Sequence, residues 1–255
     1  MSSIKIGLFS DLHVTRNRAL ARGASWRSFA DAQKGLSAFR SAGVAFAVAL
    51  GDHAQPSPTR EEQREMLSEI DILGRSSGLT IYQVLGNHEF QQLDLDEVLA
   101  IFQIPVSYYS FDQQGVRFIF LDTNYNPDGT HFAEDNFAWQ LGIIPETECR
   151  WLDRQLSDTD RAIIFTHANL KHDDPSYMII NHQEVVSLIR KHGCVRAVFQ
   201  GHHHTASVID DQGILFINIP SPLNSEAFTM DDFRMVEINR DTIQYEGITY
   251  LWQTP

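Results

Sequence analysis

The chain has 255 residues and a mass of 29.0 kDa, and its 33 Asp and Glu residues outnumber its 20 Lys and Arg residues, which gives a formal charge of −13. With 43% hydrophobic and 21% charged residues, the composition is that of a folded globular protein and excludes intrinsic disorder. The acidic balance argues against binding to nucleic acid or to an anionic membrane surface, because such binding relies on clustered Lys and Arg.

Neither a membrane-spanning segment nor a targeting segment is predicted. The longest apolar stretch, Val44–Leu50, is far shorter than the roughly 20 residues that a transmembrane helix needs. The amino terminus lacks the basic, apolar and cleavable regions of a signal peptide, so we expect a cytoplasmic protein. Cys149 and Cys194 are too few for a disulfide framework and are expected to be free, buried thiols.

The first half of the chain alternates short apolar runs with amphipathic stretches, which is typical of strands joined by crossover helices. The apolar run Val44–Leu50 lacks a polar face, which indicates a sheet covered on both sides. Strands are predicted at 4–9, 46–50 and 80–85, and helices at 26–42, 59–75 and 93–102.

The second half begins with a strand pair and an insert at residues 122–145, which has no periodicity and is rich in turn formers and aromatic residues. A structureless loop of this length is usually functional, and we expect it to face the substrate. The simplest architecture is one α/β domain over residues 1–255, with two packed sheets and helices outside. Strands are predicted at 108–111, 116–121, 162–166, 195–200, 206–209, 214–218, 234–239 and 242–250, and helices at 146–156 and 183–192.

Five short polar segments each follow a predicted strand directly. In open α/β sheets, ligands bind beyond the carboxyl ends of the strands, so these segments are expected to converge at one edge. They account for six of the eleven histidines. The segments are Asp11-Leu12-His13, Gly51-Asp52, Gly86-Asn87-His88-Glu89, Thr166-His167 and Gly201-His202-His203-His204.

The segments supply carboxylate, imidazole and amide groups, which are ligands for Mn, Fe, Zn or Co, and the absence of thiolates argues against a structural zinc site. There are too many of them for one tetrahedral ion, but the number suits two ions that share a bridging carboxylate. The candidate ligands are Asp11, His13, Asp52, Asn87, His167, His202 and His204.

In this order, the five segments resemble the motifs of the calcineurin-like metallophosphoesterase superfamily over essentially the whole chain. The resemblance implies a four-layer αββα sandwich of two mixed β-sheets flanked by helices. It also implies two divalent or mixed-valence metal ions. One would be held by Asp11, His13 and His204, the other by Asn87, His167 and His202, with Asp52 between them.

The same resemblance implies the catalytic roles. Asp52 would bridge the metals, a bridging hydroxide would attack phosphorus, and His88 would protonate the leaving oxygen, oriented by a neighbouring carboxylate. With Gly201 as the anchor of its segment, His203 is not a ligand, although the run of three histidines also allows a shifted register. His53 has no assigned role.

The segments Tyr108–Phe111 and Arg117–Asp122, the aromatic insert and Phe90 after His88-Glu89 resemble the manganese-dependent ADP-ribose/CDP-alcohol diphosphatases. The competing resemblance is to the cyclic-nucleotide and glycerophosphodiester phosphodiesterases, which keep Asp-x-His. Either implies cleavage of a phosphodiester or phosphoanhydride bond in a small, nucleotide-like substrate. The alternatives are a phosphomonoesterase of the same fold and a non-catalytic scaffold. Insert residues expected to contact the substrate are Asn124, Tyr125, His131 and Phe132.

Several other residues have either a structural or a functional role. Trp139 either packs in the core or lines a substrate pocket, and the basic residues Arg16, Arg18 and Arg22 either meet a phosphate or lie in a solvated loop. Structural or solvent-exposed positions are expected for the histidines outside the five segments, which are His53, His131, His172, His182 and His192.

Overall fold

A computed structural model describes residues 3–17, 21, 23, 25–239 and 241–252 of the chain. The strands are β1 (Ile4–Phe9), β2 (Phe46–Ala49), β3 (Ile81–Gln83), β4 (Tyr109–Gln113), β5 (Val116–Phe120), β6 (Ala162–Thr166), β7 (Val195–Gln200), β8 (Ser207–Asp211), β9 (Ile214–Asn218), β10 (Arg234–Ile238), β11 (Thr242–Tyr245) and β12 (Ile248–Leu251). The α-helices are α1 (Ser28–Ser41), α2 (Arg60–Ser76), α3 (Leu95–Phe102), α4 (Glu146–Ser157) and α5 (His182–His192).

The strands form two mixed sheets of six strands each. The first has the order β12-β11-β10-β1-β2-β3, with β1, β2 and β3 parallel and Ile6 opposite Phe46. The second has the order β4-β5-β6-β7-β9-β8, in which the four central strands are parallel and both edge strands are antiparallel. The parallel strands of each sheet therefore present their carboxyl ends at one edge.

Three apolar layers hold the sheets and helices together, because each sheet is buried on both faces. The residues between the two sheets include Leu8, Val48, Phe120 and Phe199. A second layer joins the first sheet to α1, α2 and α3, and a third joins the second sheet to α4 and α5. This is the four-layer αββα arrangement that the sequence motifs imply.

The strand predicted at 80–85 is shorter in the structure, where β3 spans Ile81–Gln83, and the helix predicted at 26–42 spans Ser28–Ser41. Two further differences have a local cause. The single strand at 242–250 is wrong: it is a hairpin of β11 and β12, because Glu246 and Gly247 adopt positive φ values of 51° and 75° and turn the chain. The third helix starts at Leu95 rather than at residue 93, because Asp94 and Glu97 form a capping box at its amino end. Within the described ranges, no helix is both long and apolar enough to cross a bilayer.

Candidate dinuclear metal centre

The segments that follow β1 and β2 lie side by side because these strands are parallel neighbours. The Asp11 N–H donates to the Gly51 carbonyl at 3.0 Å, and the His13 N–H donates to the Asp52 carbonyl at 2.9 Å. The second sheet is tied to the same edge, since the His202 N–H donates to Asp11 Oδ2 at 2.9 Å. The convergence expected from the five strand ends therefore spans both sheets.

The first group of candidate ligands consists of Asp11, His13, Asp52 and His204, whose ligand atoms lie within 4.8 Å of one another. The Nε2 atoms of His13 and His204 are 3.0 Å apart and face each other. Asp11 Oδ1 lies 3.3 Å from His204 Nε2 and 3.8 Å from His13 Nε2. Imidazole nitrogens and carboxylate oxygens therefore point at one small volume.

The second group consists of Asp52, His167 and His202. His167 Nε2 lies 3.4 Å from Asp52 Oδ1 and 3.1 Å from Asn87 Oδ1, which places the Asn87 amide beside this group. His167 Nδ1 lies 2.7 Å from the Leu50 carbonyl, which leaves Nε2 free to face the site. Asp52 belongs to both groups, as a bridging carboxylate must.

The donor set fits two divalent cations. Asp11 Oδ1 and His13 Nδ1 are buried and make no hydrogen bond with the described residues, and a buried carboxylate oxygen without a partner is costly unless a cation binds it. The backbone conformation at this site is uncommon as well. Five of the candidate ligands, none of them glycine, have left-handed φ values between 44° and 68°. These five residues are Asp11, His13, Asp52, His202 and His204.

Close approach of the loops explains the glycines of the motifs. A Cβ at Gly51 would lie 2.5 Å from the Gly86 nitrogen and 2.7 Å from His167 Nδ1. A Cβ at Gly86 would collide with the backbone and carboxylate of Asp52, and one at Gly201 would collide with Ser10. Any larger residue would therefore push the ligand loops apart.

Glu89 connects the loops that follow β2 and β3, a role that was not predicted from the sequence. Its carboxylate is fully buried and accepts from the N–H groups of His53 at 2.7 Å, Gly86 at 2.7 Å and Asp52 at 3.2 Å. His53 is buried as well, and its Nε2 lies 2.8 Å from Gln83 Oε1. His53 therefore has a structural place beside Glu89.

We expect Glu89→Gln to lower the free energy of unfolding by about 1–3 kcal/mol, because an amide NH₂ would face N–H groups that now donate to a carboxylate. The affinity for divalent metal should fall as well, since Asp52 loses its backbone support. Urea titration and metal analysis measure the two effects. Glu62→Gln, at an exposed position of α2, is the control. Unchanged stability and metal affinity in Glu89→Gln would contradict this role.

His88 lies beside Asp52, the carboxylate common to both ligand groups. Its backbone N–H donates to Asp52 Oδ1 at 2.8 Å, and its Nε2 lies 3.8 Å from Asp52 Oδ2. Burial, opposed by the charge of Asp52, lowers the pKa of His88 to about 4. No carboxylate among the described residues orients the His88 ring by a hydrogen bond: Nδ1 is buried without a partner, and 3.8 Å is too long for a bond from Nε2 to Asp52.

The insert at residues 122–145 is anchored by a buried polar cluster. His131 Nε2 lies 2.9 Å from Asp122 Oδ2, and the Asp122 N–H donates to Glu148 Oε1 at 2.9 Å. Burial, together with the charge of Asp122, holds the pKa of Glu148 well above its usual range. Asp122 lies two residues after the end of β5, so the strand-end pattern that predicted the candidate ligands applies to it as well.

Of the four insert residues expected to contact the substrate, two are committed to the interior. Phe132 is 1% exposed and packs in the layer beneath the first sheet, and the Asn124 amide donates to the Leu85 carbonyl at 2.9 Å. Burial of both side chains makes them supports of the loop rather than its contact surface. Tyr125 and His131 are partly exposed, with ring centroids 4.7 Å apart, and their contact with substrate stays a prediction.

The His131–Asp122 pair predicts a pH dependence of stability. Burial lowers the pKa of His131, but the charge and hydrogen bond of Asp122 outweigh it, so the pKa lies above its ordinary value of 6.5. The contribution of His131 to stability is therefore complete below pH 6.5 and is lost as the pH rises through the raised value.

Chemical unfolding at several pH values checks this expectation. The stability difference between the wild type and His131→Gln should be about 1–3 kcal/mol at pH 6 and should shrink toward pH 9. In Asp122→Asn, where the carboxylate charge is gone, the same difference should vary little with pH. A difference that grows with pH would contradict the raised pKa.

Two aromatic rings flank the second ligand group. The Trp139 ring lies 5.1 Å from the ring of His202, and the Tyr177 ring lies 5.3 Å from it. Trp139 and Tyr177 are both partly exposed, so they form a wall beside the metal ligands. Sequence reasoning missed Tyr177, because it lies in an aperiodic loop after His167 and only the fold brings it here.

The other histidines and arginines considered in the sequence do not belong to the two groups of candidate ligands. His203 stands outside both ligand groups, against the rings of His172 at 3.9 Å and Tyr177 at 4.6 Å. His192 pairs with Asp153 at 2.7 Å, and Arg16 is exposed and pairs with Glu69. Arg18 and Arg22 lie outside the described residues.

Comparison with known proteins agrees with this geometry. Residues 4–206 match the family model of the calcineurin-like phosphoesterases. A manganese-dependent ADP-ribose/CDP-alcohol diphosphatase from Oryza sativa subsp. japonica is 21% identical over 208 residues, which cover 65% of this chain and 64% of the rice protein. One of the same description from Danio rerio is 30% identical over 131 residues, covering 46% of this chain and 41% of that protein. The chain thus spans less than two thirds of the length of these relatives.

A crystal structure of a dimetal phosphatase from Danio rerio shares the fold. It has a TM-score of 0.81 and 20% sequence identity, and the match covers 98% of this chain and 99% of that one. The resemblance drawn from the five strand-end segments is confirmed by the match to the family model, which includes all five. This chain belongs to the calcineurin-like phosphoesterase family.

Proposed function

We propose that the protein is a manganese-dependent hydrolase that cleaves a phosphodiester or phosphoanhydride bond in a small, nucleotide-like molecule. The observation that carries the proposal is the position of His88 beside Asp52, the carboxylate common to both ligand groups. A non-catalytic scaffold protein would not need an imidazole beside this carboxylate. The relatives named for ADP-ribose and CDP-alcohols support the substrate class.

The chain's residues divide the chemistry between them. When bound, two divalent cations supply activation of a water molecule and neutralisation of phosphate charge. Asp52 fixes the spacing of the two ligand groups, and these groups would hold the cations to which the phosphate binds. His88 is neutral in the free chain because its pKa is about 4, so the negative charge of the bound phosphate favours its protonated form. It then gives a proton to the leaving oxygen.

The wall formed by Trp139 and Tyr177 supports recognition of an aromatic group next to the phosphate. Their ring centroids are 6.3 Å apart, and both flank His202, so a nucleobase could stack on either ring. The metal centre alone would treat all phosphodiesters alike. We therefore assign selectivity for the nucleoside to this wall.

We expect Trp139→Ala to raise KM for a nucleotide substrate about tenfold, since stacking on one ring contributes about 1–3 kcal/mol. The KM for glycerophosphocholine, which has no base, should change little. Steady-state kinetics with both substrates measure the difference. The control is Trp151→Ala on α4, whose ring packs on Tyr108 at 5.1 Å. An equal rise in both KM values would contradict a role in base recognition.

A substrate panel tests the proposed function itself. The manganese-loaded enzyme is assayed with ADP-ribose, CDP-choline, cyclic AMP, glycerophosphocholine and AMP. Turnover of ADP-ribose or CDP-choline at higher kcat/KM than the other three is the expected result. A preference for AMP would favour the phosphomonoesterase. No turnover of any of these, nor of bis-p-nitrophenyl phosphate with Mn, Fe, Co or Zn, would favour the scaffold.

A further inference from the structure

A cavity of about 700 Å³ lies at the end of the second sheet that is opposite to the candidate metal ligands. It is bounded by residues that precede β6, β7 and β9 and by the end of β12, whereas the ligands follow the carboxyl ends of the strands. The six residues of β7 place the two ends of the sheet about 20 Å apart. The cavity is thus separate from the metal centre, and its volume suits a metabolite-sized molecule.

Arg196 brings a buried positive charge to this cavity. It is 7% exposed, its Nε donates to the Leu251 carbonyl at 2.7 Å, and its Nη1 donates to the Gly213 carbonyl. Among the described residues it makes no ion pair with a carboxylate. Burial lowers the pKa of this guanidinium, and the charge of Asp210 opposes the shift only in part. The guanidinium hydrogen-bonds only to neutral carbonyls and lies 5.9 Å from the centroid of the Tyr250 ring, so an anion in the cavity would stabilise its charge further.

Two further arginines line the same cavity. Arg161 is partly exposed, and its guanidinium makes no hydrogen bond or ion pair with the described residues. Arg190 pairs with Asp211 through Nη2, but its Nε is buried and has no partner among the described residues. In a chain of charge −13, three arginines around one cavity form an unusual concentration of positive charge.

The carboxylates around the cavity leave guanidinium donors unused. Asp160 and Asp241 also line the cavity, and neither forms an ion pair with the three arginines in the part of the chain that the structure describes. Asp211 balances Arg190, so the formal charges around the cavity are even, but Arg161 and Arg196 keep donors that no carboxylate of the described residues uses. Trp252 adds an aromatic wall, fixed by its Nε1 donating to the Asn239 carbonyl at 3.0 Å.

We propose that this cavity is a second ligand site that takes a small molecule with a phosphate or carboxylate group. Arg161 and Arg196 bind the anionic group, because the planar guanidinium matches the paired oxygens of either. Trp252 packs against the remainder of the molecule. The site does not depend on the proposed function, since it shares no residue with the metal centre.

Trp252 provides the measurement that tests the proposal. The full-length, manganese-loaded protein is titrated with inorganic phosphate or with succinate, at constant ionic strength against chloride. Tryptophan emission of Trp252→Phe is subtracted from that of the wild type. The subtraction removes changes at Trp139 beside the metal centre, where phosphate also binds. The expected result is a saturable Trp252 signal with one or both anions, and the anion that gives it identifies the ligand's acidic group.

Variants decide whether the arginines form the site. Arg161→Gln should lower the affinity for the anion at least tenfold. The protein should stay folded, because the Arg161 side chain makes no hydrogen bond or ion pair with the described residues. Arg196→Lys keeps the charge and should weaken binding less than Arg161→Gln. The control is Arg150→Gln, at an exposed position of α4 that pairs with Glu146 at 3.1 Å. No saturable Trp252 signal, or the same affinity in Arg161→Gln as in the wild type, would overturn the proposal.

Discussion

Asp52→Asn is expected to lose both bound manganese and activity. The wild type should retain close to two ions per chain after dialysis, whereas the variant should retain less than one. The reason is that Asp52 alone belongs to both ligand groups, with Oδ1 3.4 Å from His167 Nε2 and Oδ2 3.5 Å from His13 Nε2. Replacing one oxygen by an NH₂ group removes a negative charge and turns a hydrogen-bond donor toward the cations. We expect kcat/KM to fall by at least about 10³-fold.

Metal analysis of the dialysed protein and the melting temperature with and without manganese measure the loss. Manganese should raise the melting temperature of the wild type and not that of the variant, because only a bound ion stabilises the folded state. The control is Asp96→Asn, which removes an exposed carboxylate from the first turn of α3. Two retained ions in Asp52→Asn would show that Asp52 is not the bridging ligand.

His88→Ala should also lose turnover, but, unlike Asp52→Asn, it should keep its metal content. His88 is in neither group of clustered ligand atoms, so its removal takes no ligand from the cations. For a substrate with a poor leaving group, we expect kcat to fall by about 10²–10⁴-fold, the usual contribution of a general acid. For bis-p-nitrophenyl phosphate the loss should be much smaller, because nitrophenolate leaves without a proton.

The ratio of these two losses separates proton donation from a general disturbance of the site. A disturbed metal centre would slow both substrates equally, so equal losses would assign His88 a positioning role only. The matched control is His192→Ala on α5, a partly buried histidine paired with Asp153. It should leave both rates unchanged. Wild-type turnover of every substrate by His88→Ala would remove His88 from the mechanism.

The net charge of −13 takes on a different meaning beside this site. An acidic chain is a poor host for polyanions, but two divalent cations would bring four positive charges to the carboxylates of Asp11 and Asp52. The local field at the site is then positive within an acidic protein. Net charge therefore argues against nucleic acid as a partner and leaves a single small phosphate as a suitable substrate.

The strand-end segments were predictable from the sequence because their determinants are local. An apolar run followed by a short polar segment identifies the end of a buried strand, and the parallel pairing of such strands brings their ends to one edge. The histidine segment at 202–204 also illustrates this. Left-handed φ values of 68° at His202 and 67° at His204 direct these two residues into the ligand groups, while His203 between them packs on His172.

By itself, the sequence determined the layered α/β architecture, the ligand types and their order, because periodicity and strand-end chemistry are properties of neighbouring residues. Only the tertiary structure decided which polar groups turn inward. The Glu89 carboxylate accepts hydrogen bonds from three backbone N–H groups. Phe132 of the insert packs in the core, and the Tyr177 ring contacts the ring of His202. Glu89 and Tyr177 depend on which strands are neighbours within one sheet, and Phe132 depends on how the insert of the second sheet packs against the first. Contacts between segments distant in the chain leave no local pattern.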